Sequence, residues 1–278
     1  MRLVLIASLA LLAACQTSSD ADYPSEMREQ HDGDTPSATG ATDGADTTGV
    51  LTERVVYATV EGETVTGYLA QPQLVSDSLR PAVIVIQEWW GLNENIEAMA
   101  RRLAGEGYVA LAVDLYGGEV ADTPDGAMAL MQTAMGQEAA LTDNLKQAHA
   151  FLTERGATHV GTIGWCFGGM WSLRTALALP DEIDASVIYY GRPVTDADAL
   201  AALSMPVLAF FGGADASIPL ATVEAFQNAL TEADVQHEVE VYPGAAHAFA
   251  NPSGQAYDAA AAEDAWTRTM AFFASNLR

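Results

Sequence analysis

Cys166 stands in Gly164-Trp165-Cys166-Phe167-Gly168-Gly169, directly after a short apolar run and directly before a stretch of helical period. Glycines two residues before and two after a nucleophile let a strand turn sharply into a helix without side-chain overlap. The N-terminus of that helix turns backbone N–H groups toward the sulfur and favours its thiolate. A thiol also needs a base. His247 fits, in the loop Pro243-Gly244-Ala245-Ala246-His247-Ala248-Phe249 between a strand and the last helix. Of the other histidines, His31 falls in a polar N-terminal stretch, His149 in a helix, His159 just before a strand and His237 inside an alternating strand; each is expected to be solvated or structural. The base needs an orienting carboxylate. Asp215 closes Phe210-Phe211-Gly212-Gly213-Ala214-Asp215 and is also suited to ordering the turn before Ile218-Pro219. Cys166, Asp215 and His247 thus come from three loops, each after a separate strand, in the order nucleophile, acid, base.

A second group of candidates follows the run that ends at Ile86. The backbone N–H of Trp89, together with that of Phe167 after the nucleophile, is placed to hold an oxyanion. Glu88 then points near the thiol. Trp90, Tyr116, Arg192, Phe249 and Asn251 are candidates for a substrate pocket.

These residues require particular elements to position them. Residues 54–60 and 64–70 form a predicted hairpin around Glu61-Gly62-Glu63. Continuous apolar runs at 82–86, 109–113, 160–163, 185–189 and 207–211 have the composition of parallel strands buried on both faces, and a last strand is expected at 235–242. Helical periodicity fills 93–105, 125–155, 168–179, 219–232 and 256–276. Alternation of this kind specifies an α/β protein, a doubly wound, mostly parallel sheet with helices on both faces, and ligands bind at the carboxyl ends of its strands. The stretch 117–136, with Gly117, Gly118, Met128, Met131 and Met135, is either a lid over the thiol or ordinary helix packing.

The N-terminus differs in kind. Met1-Arg2 and an apolar run from Leu3 to Ala14 end in Leu12-Ala13-Ala14-Cys15, which resembles a bacterial lipobox and marks Cys15 for lipidation. Residues 1–15 are therefore expected to be a signal peptide and 16–50, rich in Ser, Thr, Asp and Gly, a disordered tether to a domain spanning 51–278. That arrangement places the protein in the bacterial cell envelope, on the periplasmic face of the outer membrane, touching the membrane only through the lipid.

The chain carries 12 Lys+Arg against 37 Asp+Glu, a formal charge of −25, and this field excludes a nucleic-acid partner. Residues 51–278 hold 29 acids and ten bases, a net of −19, so most of the acid sits on the folded part. Two cysteines exclude a disulfide-rich scaffold, and the lack of a C-x-x-C pair argues against redox chemistry.

The combined segments resemble the dienelactone hydrolase family of α/β-hydrolases over about 55–277. They are Val83-Ile84-Val85-Ile86-Gln87-Glu88 with Gly91-Leu92-Asn93, Gly107-Tyr108-Val109-Ala110 with Asp114-Leu115-Tyr116, the 164–169 elbow, Tyr189-Tyr190-Gly191, Gly212-Gly213-Ala214-Asp215, and Ala246-His247-Ala248-Phe249. The resemblance implies the α/β-hydrolase fold, a Cys166–Asp215–His247 triad, a contact between Glu88 and the resting thiol, and no metal or organic cofactor. The family's dienelactone-cleaving members bind the substrate carboxylate with arginines, where this chain has Gly117-Gly118-Glu119 and Ala250-Asn251-Pro252. The expected activity is thus hydrolysis of a small ester or lactone through a thioester, with the dienelactone itself disfavoured. A thioesterase or other acyl hydrolase on the same triad, and a non-catalytic envelope binding protein, are the alternatives. No obligate protein partner is evident.

Overall fold

The computed structural model describes residues 22–36, 48–73 and 81–278. In chain order the elements are α1 (Tyr23–Gln30), β1 (Val50–Val60), β2 (Glu63–Pro72), β3 (Pro81–Ile86), α2 (Glu94–Gly105), β4 (Val109–Ala112), α3 (Pro124–Met135), α4 (Glu138–Glu154), β5 (His159–Trp165), α5 (Phe167–Ala178), β6 (Ala185–Tyr189), α6 (Ala197–Leu200), β7 (Val207–Gly212), α7 (Leu220–Glu232), β8 (His237–Tyr242) and α8 (Ala259–Asn276). One eight-stranded sheet runs β1-β2-β4-β3-β5-β6-β7-β8. β1 and β2 pair antiparallel through the hairpin, β2 pairs antiparallel with β4, and every pairing from β4 to β8 is parallel. This is the α/β-hydrolase fold.

The apolar runs become the strands for the reason their composition suggests. β3, β6 and β7 are buried at every position, which a central parallel strand covered by helices on both faces demands. The chain passes from β3 outward to β4 and then returns to lay β5 on the other side of β3. The strand order reverses there, and a crevice opens at the carboxyl ends of β3 and β5. Glu88 and Trp89 follow β3, and Cys166 follows β5.

Three features depart from the sequence expectations. The 125–155 stretch is two helices, α3 and α4, broken at Gly136-Gln137, where the α3 ladder ends on Gly136 N–H. The four-residue α6 carries no periodicity long enough to read. Residues 124–135 form α3, which packs against α1, in keeping with the helix-packing alternative. The largest departure lies in the stretch expected to be a disordered tether: Tyr23–Gln30 is helical, and Tyr23, Met27 and His31 are buried. A run at i, i+4 and i+8 puts these three side chains along one face, and that face packs onto the domain. Asp34 continues the attachment by accepting from the N–H of Gln255 (2.9 Å). Cys15 and the signal-peptide stretch lie outside the described residues. Among the described residues no helix is long and apolar enough to cross a membrane.

Candidate active site

The elbow is built by backbone contact. A Cβ on Gly164 would overlap the carbonyl of Gly168, and one on Gly168 would overlap the carbonyls of Ile86 and Gln87. The two glycines thus let α5 start against the ends of both β5 and β3, which brings the Glu88–Trp89 turn beside the thiol. Cys166 sits at φ 55°, ψ −116°, a left-handed conformation that is strained for a residue with a side chain. Its N–H donates to Tyr189 O (3.0 Å) and its carbonyl accepts from Met170 N–H (3.1 Å), so both neighbouring elements hold the strained residue. Phe167 is the first residue of α5, where N–H groups lack intrahelical acceptors.

The acid–base loops are joined in the same way. Side chains at Gly212 and Gly213 would strike the carbonyls of Ala245 and Pro243. With none present, the loop after β8 lies directly on the end of β7, and Ala214 N–H donates to Ala245 O (2.9 Å). His247 Nδ1 then donates to Asp215 Oδ2 at 2.7 Å. The other carboxylate oxygen, Oδ1, orders the turn, accepting from Ser217 N (2.8 Å), Ser217 Oγ (2.6 Å) and Ile218 N (3.1 Å). One oxygen of Asp215 thus holds its own loop and the other meets the imidazole.

The electrostatics follow from this burial and pairing. Burial opposes the charged forms of both Cys166 and His247. The charges nevertheless prevail: His247 and then His31 lower the thiol, while Asp215 and Cys166 raise His247. The pairing thus favours thiolate and imidazolium, against the burial that disfavours both charges. Asp215 is held below the usual carboxylate range, against its own burial, by the charge and hydrogen bond of His247. Glu88 moves the other way: burial, then the neighbouring sulfur, pushes it up to about 7.

Glu88 does not hold the thiol in this arrangement. Its Oε2 accepts from Asn251 Nδ2 (2.8 Å), while Cys166 Sγ lies 3.3 Å from Met27 Sδ and 4.0 Å from the Tyr23 hydroxyl. A helix from outside the expected domain has taken the place where the glutamate contact was expected. Asn251 accordingly positions Glu88. Among the other pocket candidates, Trp90 is buried and tilted against Trp89 (4.9 Å), and Tyr116 packs on Phe167 (5.5 Å). Phe249 is packed between Tyr190 and Tyr242, below the site. Arg192 lies over the ring of Tyr23 (5.1 Å).

His31 is the residue that sequence reasoning missed. It is buried, stacks on Trp89 (4.7 Å between ring centres) and meets His247 edge-on at 5.7 Å. Its Nδ1 pairs with Asp34 Oδ2 at 2.9 Å, a second histidine–carboxylate pair at the same sulfur. The signal was the spacing Tyr23, Met27, His31 with Asp34 one turn on, hidden in a polar, acidic background. Away from the site, His149 Nε2 meets Glu182 O (3.2 Å), and His237 Nδ1 meets Val235 O (2.8 Å).

Fold and site together define an α/β-hydrolase with a buried cysteine at the elbow. The profile of the dienelactone hydrolase family matches residues 65–277, and the chain belongs to that family. It is similar to Protein usf of Aquifex pyrophilus, 38% identical over 221 residues that cover 76% of this chain and 94% of the relative. A Synechocystis protein provisionally named carboxymethylenebutenolidase is 35% identical over 235 residues, covering 77% of this chain and 93% of its own length. The crystal structure of a provisionally named dienelactone hydrolase from Klebsiella pneumoniae superposes with a TM-score of 0.72 at 32% identity, covering 81% of this chain and 98% of that one. The protein is a hydrolase of the dienelactone hydrolase type.

Proposed function

We propose that the protein hydrolyses a small, uncharged ester or lactone with Cys166 as nucleophile. The observation that carries the reading is the Asp215–His247 pair at 2.7 Å beside a strained, glycine-flanked cysteine whose thiol is lowered by that imidazole. The thiolate attacks the acyl carbon and the carbonyl electrons move to oxygen, where the N–H groups of Trp89 and Phe167 receive the charge. The tetrahedral intermediate collapses, His247 gives its proton to the departing alkoxide, and a thioester remains on Sγ. His247, neutral again, takes a proton from water as the water attacks the thioester. Collapse of the second intermediate frees the acid and returns the thiolate–imidazolium pair. Asp215 keeps Nδ1 protonated and Nε2 toward the reaction throughout.

Two loops and the net charge argue against an anionic substrate. Gly117, Gly118, Glu119, Ala250, Asn251 and Pro252 supply no cation, and the domain as a whole is strongly acidic. A carboxylate without a charge-assisted partner loses about 1.5–3 kcal/mol of binding. Substrate reaches the sulfur only with α1 withdrawn, because Met27 Sδ already touches Sγ and Cys166 has no exposed surface. The Leu12-Ala13-Ala14-Cys15 segment supports attachment of this hydrolase to the envelope through a lipid on Cys15, with the periplasmic face of the outer membrane as its site. Mass spectrometry of the mature N-terminus tests that attachment.

The reading is tested with a panel of neutral, anionic and cationic aryl esters and lactones. Wild-type protein is expected to turn over the neutral members fastest, and Cys166→Ala to lose that turnover. Undiminished hydrolysis by Cys166→Ala would overturn it.

A further inference from the structure

The hydrolase reading uses one of the two histidine–carboxylate pairs at the thiol and leaves His31–Asp34 without a role. Sγ of Cys166 and one ring nitrogen each of His31 and His247 all lie within 4.8 Å of one another, and all three residues are buried. Each Nδ1 is held by a carboxylate, His31 by Asp34 (2.9 Å) and His247 by Asp215 (2.7 Å). Each Nε2 is buried with no hydrogen-bond partner. In both imidazoles the outer nitrogen is thus taken up by a carboxylate, and the inner nitrogen is left for the sulfur or for a cation. A carboxylate behind the outer ring nitrogen is how metal-ligating histidines are oriented.

We propose that Cys166, His31 and His247 form a binding site for one thiophilic d10 cation, Zn(II) or Cu(I), complete only while α1 is docked. One thiolate with two imidazoles is a donor set such cations favour over the oxygen sets preferred by magnesium or calcium. Bonds of about 2.3 Å to sulfur and about 2.0–2.1 Å to nitrogen bring tetrahedral ligands to about 3.3–3.6 Å from one another. The three atoms lie within 4.8 Å of one another, so binding requires them to close by up to about 1.5 Å. The Met27 thioether, 3.3 Å from Sγ, adds a soft donor on the α1 side. Binding forms one metal–sulfur and two metal–nitrogen bonds and releases one proton from the thiol–imidazole cluster to solvent. Because His31 comes from the N-terminal segment and the other two from the sheet loops, occupancy and docking of α1 are linked.

The test is metal binding by the full chain under anaerobic reducing conditions, read without reference to hydrolysis. Zn(II) and Cu(I) are each titrated in competition with a chromophoric chelator, and Co(II) serves as an optical stand-in for zinc. The expected result is one equivalent of Zn(II) or Cu(I) bound, with a thiolate-to-cobalt absorption band that Cys166→Ser abolishes. His31→Ala is expected to weaken binding about a hundredfold, and Asp34→Asn about tenfold. Both positions lie outside the sheet, so an unchanged melting curve certifies the variants as folded. Binding of the same strength in His31→Ala as in wild type would overturn the proposal, as would the absence of binding by either cation. Neither result bears on whether Cys166 cleaves esters, which the substrate panel decides separately.

Discussion

Two histidine–carboxylate pairs approach one sulfur, and they are built in opposite ways. His247–Asp215 hangs on the carboxyl ends of β7 and β8, where glycine-backed main-chain contacts lock the two loops together. His31–Asp34 rides on the short N-terminal segment, tied by Asp34 to Gln255 and by Arg28 to Asp125 (3.0 Å). The pairs have similar lengths, 2.7 and 2.9 Å. What differs is the cost of taking them apart. Separating the first means opening a parallel sheet. Releasing the second means exposing Tyr23, Met27 and His31, about 1.5–3 kcal/mol for a side chain the size of Met27, and ordering α1 in the first place costs about 1–2 kcal/mol per residue. Burial thus favours the docked form of α1 while conformational entropy opposes it. The fixed pair suits chemistry and the detachable one suits control of access.

This contrast can be broken at either end. The largest effect is expected at the fixed pair: Asp215→Asn should lower kcat about 10³–10⁴-fold, by freeing the wrong tautomer of His247. Steady-state kinetics on a neutral aryl ester measures it, and a loss below tenfold would show that the pair does not orient the base. Gly168→Ala comes next. The new methyl meets backbone carbonyls that cannot yield, so the variant should lose at least about 1–3 kcal/mol of stability in denaturant melts as well as activity. At the detachable end the sign reverses. Deleting residues 16–36 should raise the rate of Cys166 alkylation about tenfold or more, since it removes Met27 and Tyr23 from the sulfur. Asp34→Asn should act the same way but only about two- to fivefold, the worth of about 0.5–1 kcal/mol of docking.

The effect of pH separates the two pairs further. With α1 deleted and chelator present, the thiolate keeps the His247 partner that lowers it, and its alkylation midpoint should lie below the ordinary thiol value of about 8.5. Restoring α1 adds the lowering effect of His31 together with the burial that opposes it, and the absolute rate should drop. A midpoint at the ordinary thiol value in both forms would contradict the ion pair. Glu88, pushed up to about 7, should appear as a separate ionisation that vanishes in Glu88→Gln.

The sequence revealed the fixed half of the site and concealed the detachable half, for a physical reason. Gly164, Gly168, Gly212 and Gly213 are required by backbone contacts at strand ends, so their spacing exposes both the elbow and the acid loop. The buried runs of β3 and β7 leave little choice of structure. In contrast, α1 has no core of its own. Asp22, Glu26, Arg28 and Glu29 interrupt it, and it is ordered by a surface that includes Trp89, Asp125 and Cys166, all remote in sequence. No local periodicity in a charged eight-residue segment reports that surface. Glu88 was likewise placed at the right strand end, but its partner could not be read, because Asn251 reaches it from the far side of the fold.

The central claim is that Cys166 carries the acyl group. Rapid acid quench of the full chain during turnover of a neutral aryl ester, followed by peptide mass spectrometry, tests it most directly. The account predicts an acyl adduct on the peptide containing Cys166, labile to hydroxylamine and absent in Cys166→Ala. An adduct on another residue, or hydrolysis at the wild-type rate by Cys166→Ala, would contradict it.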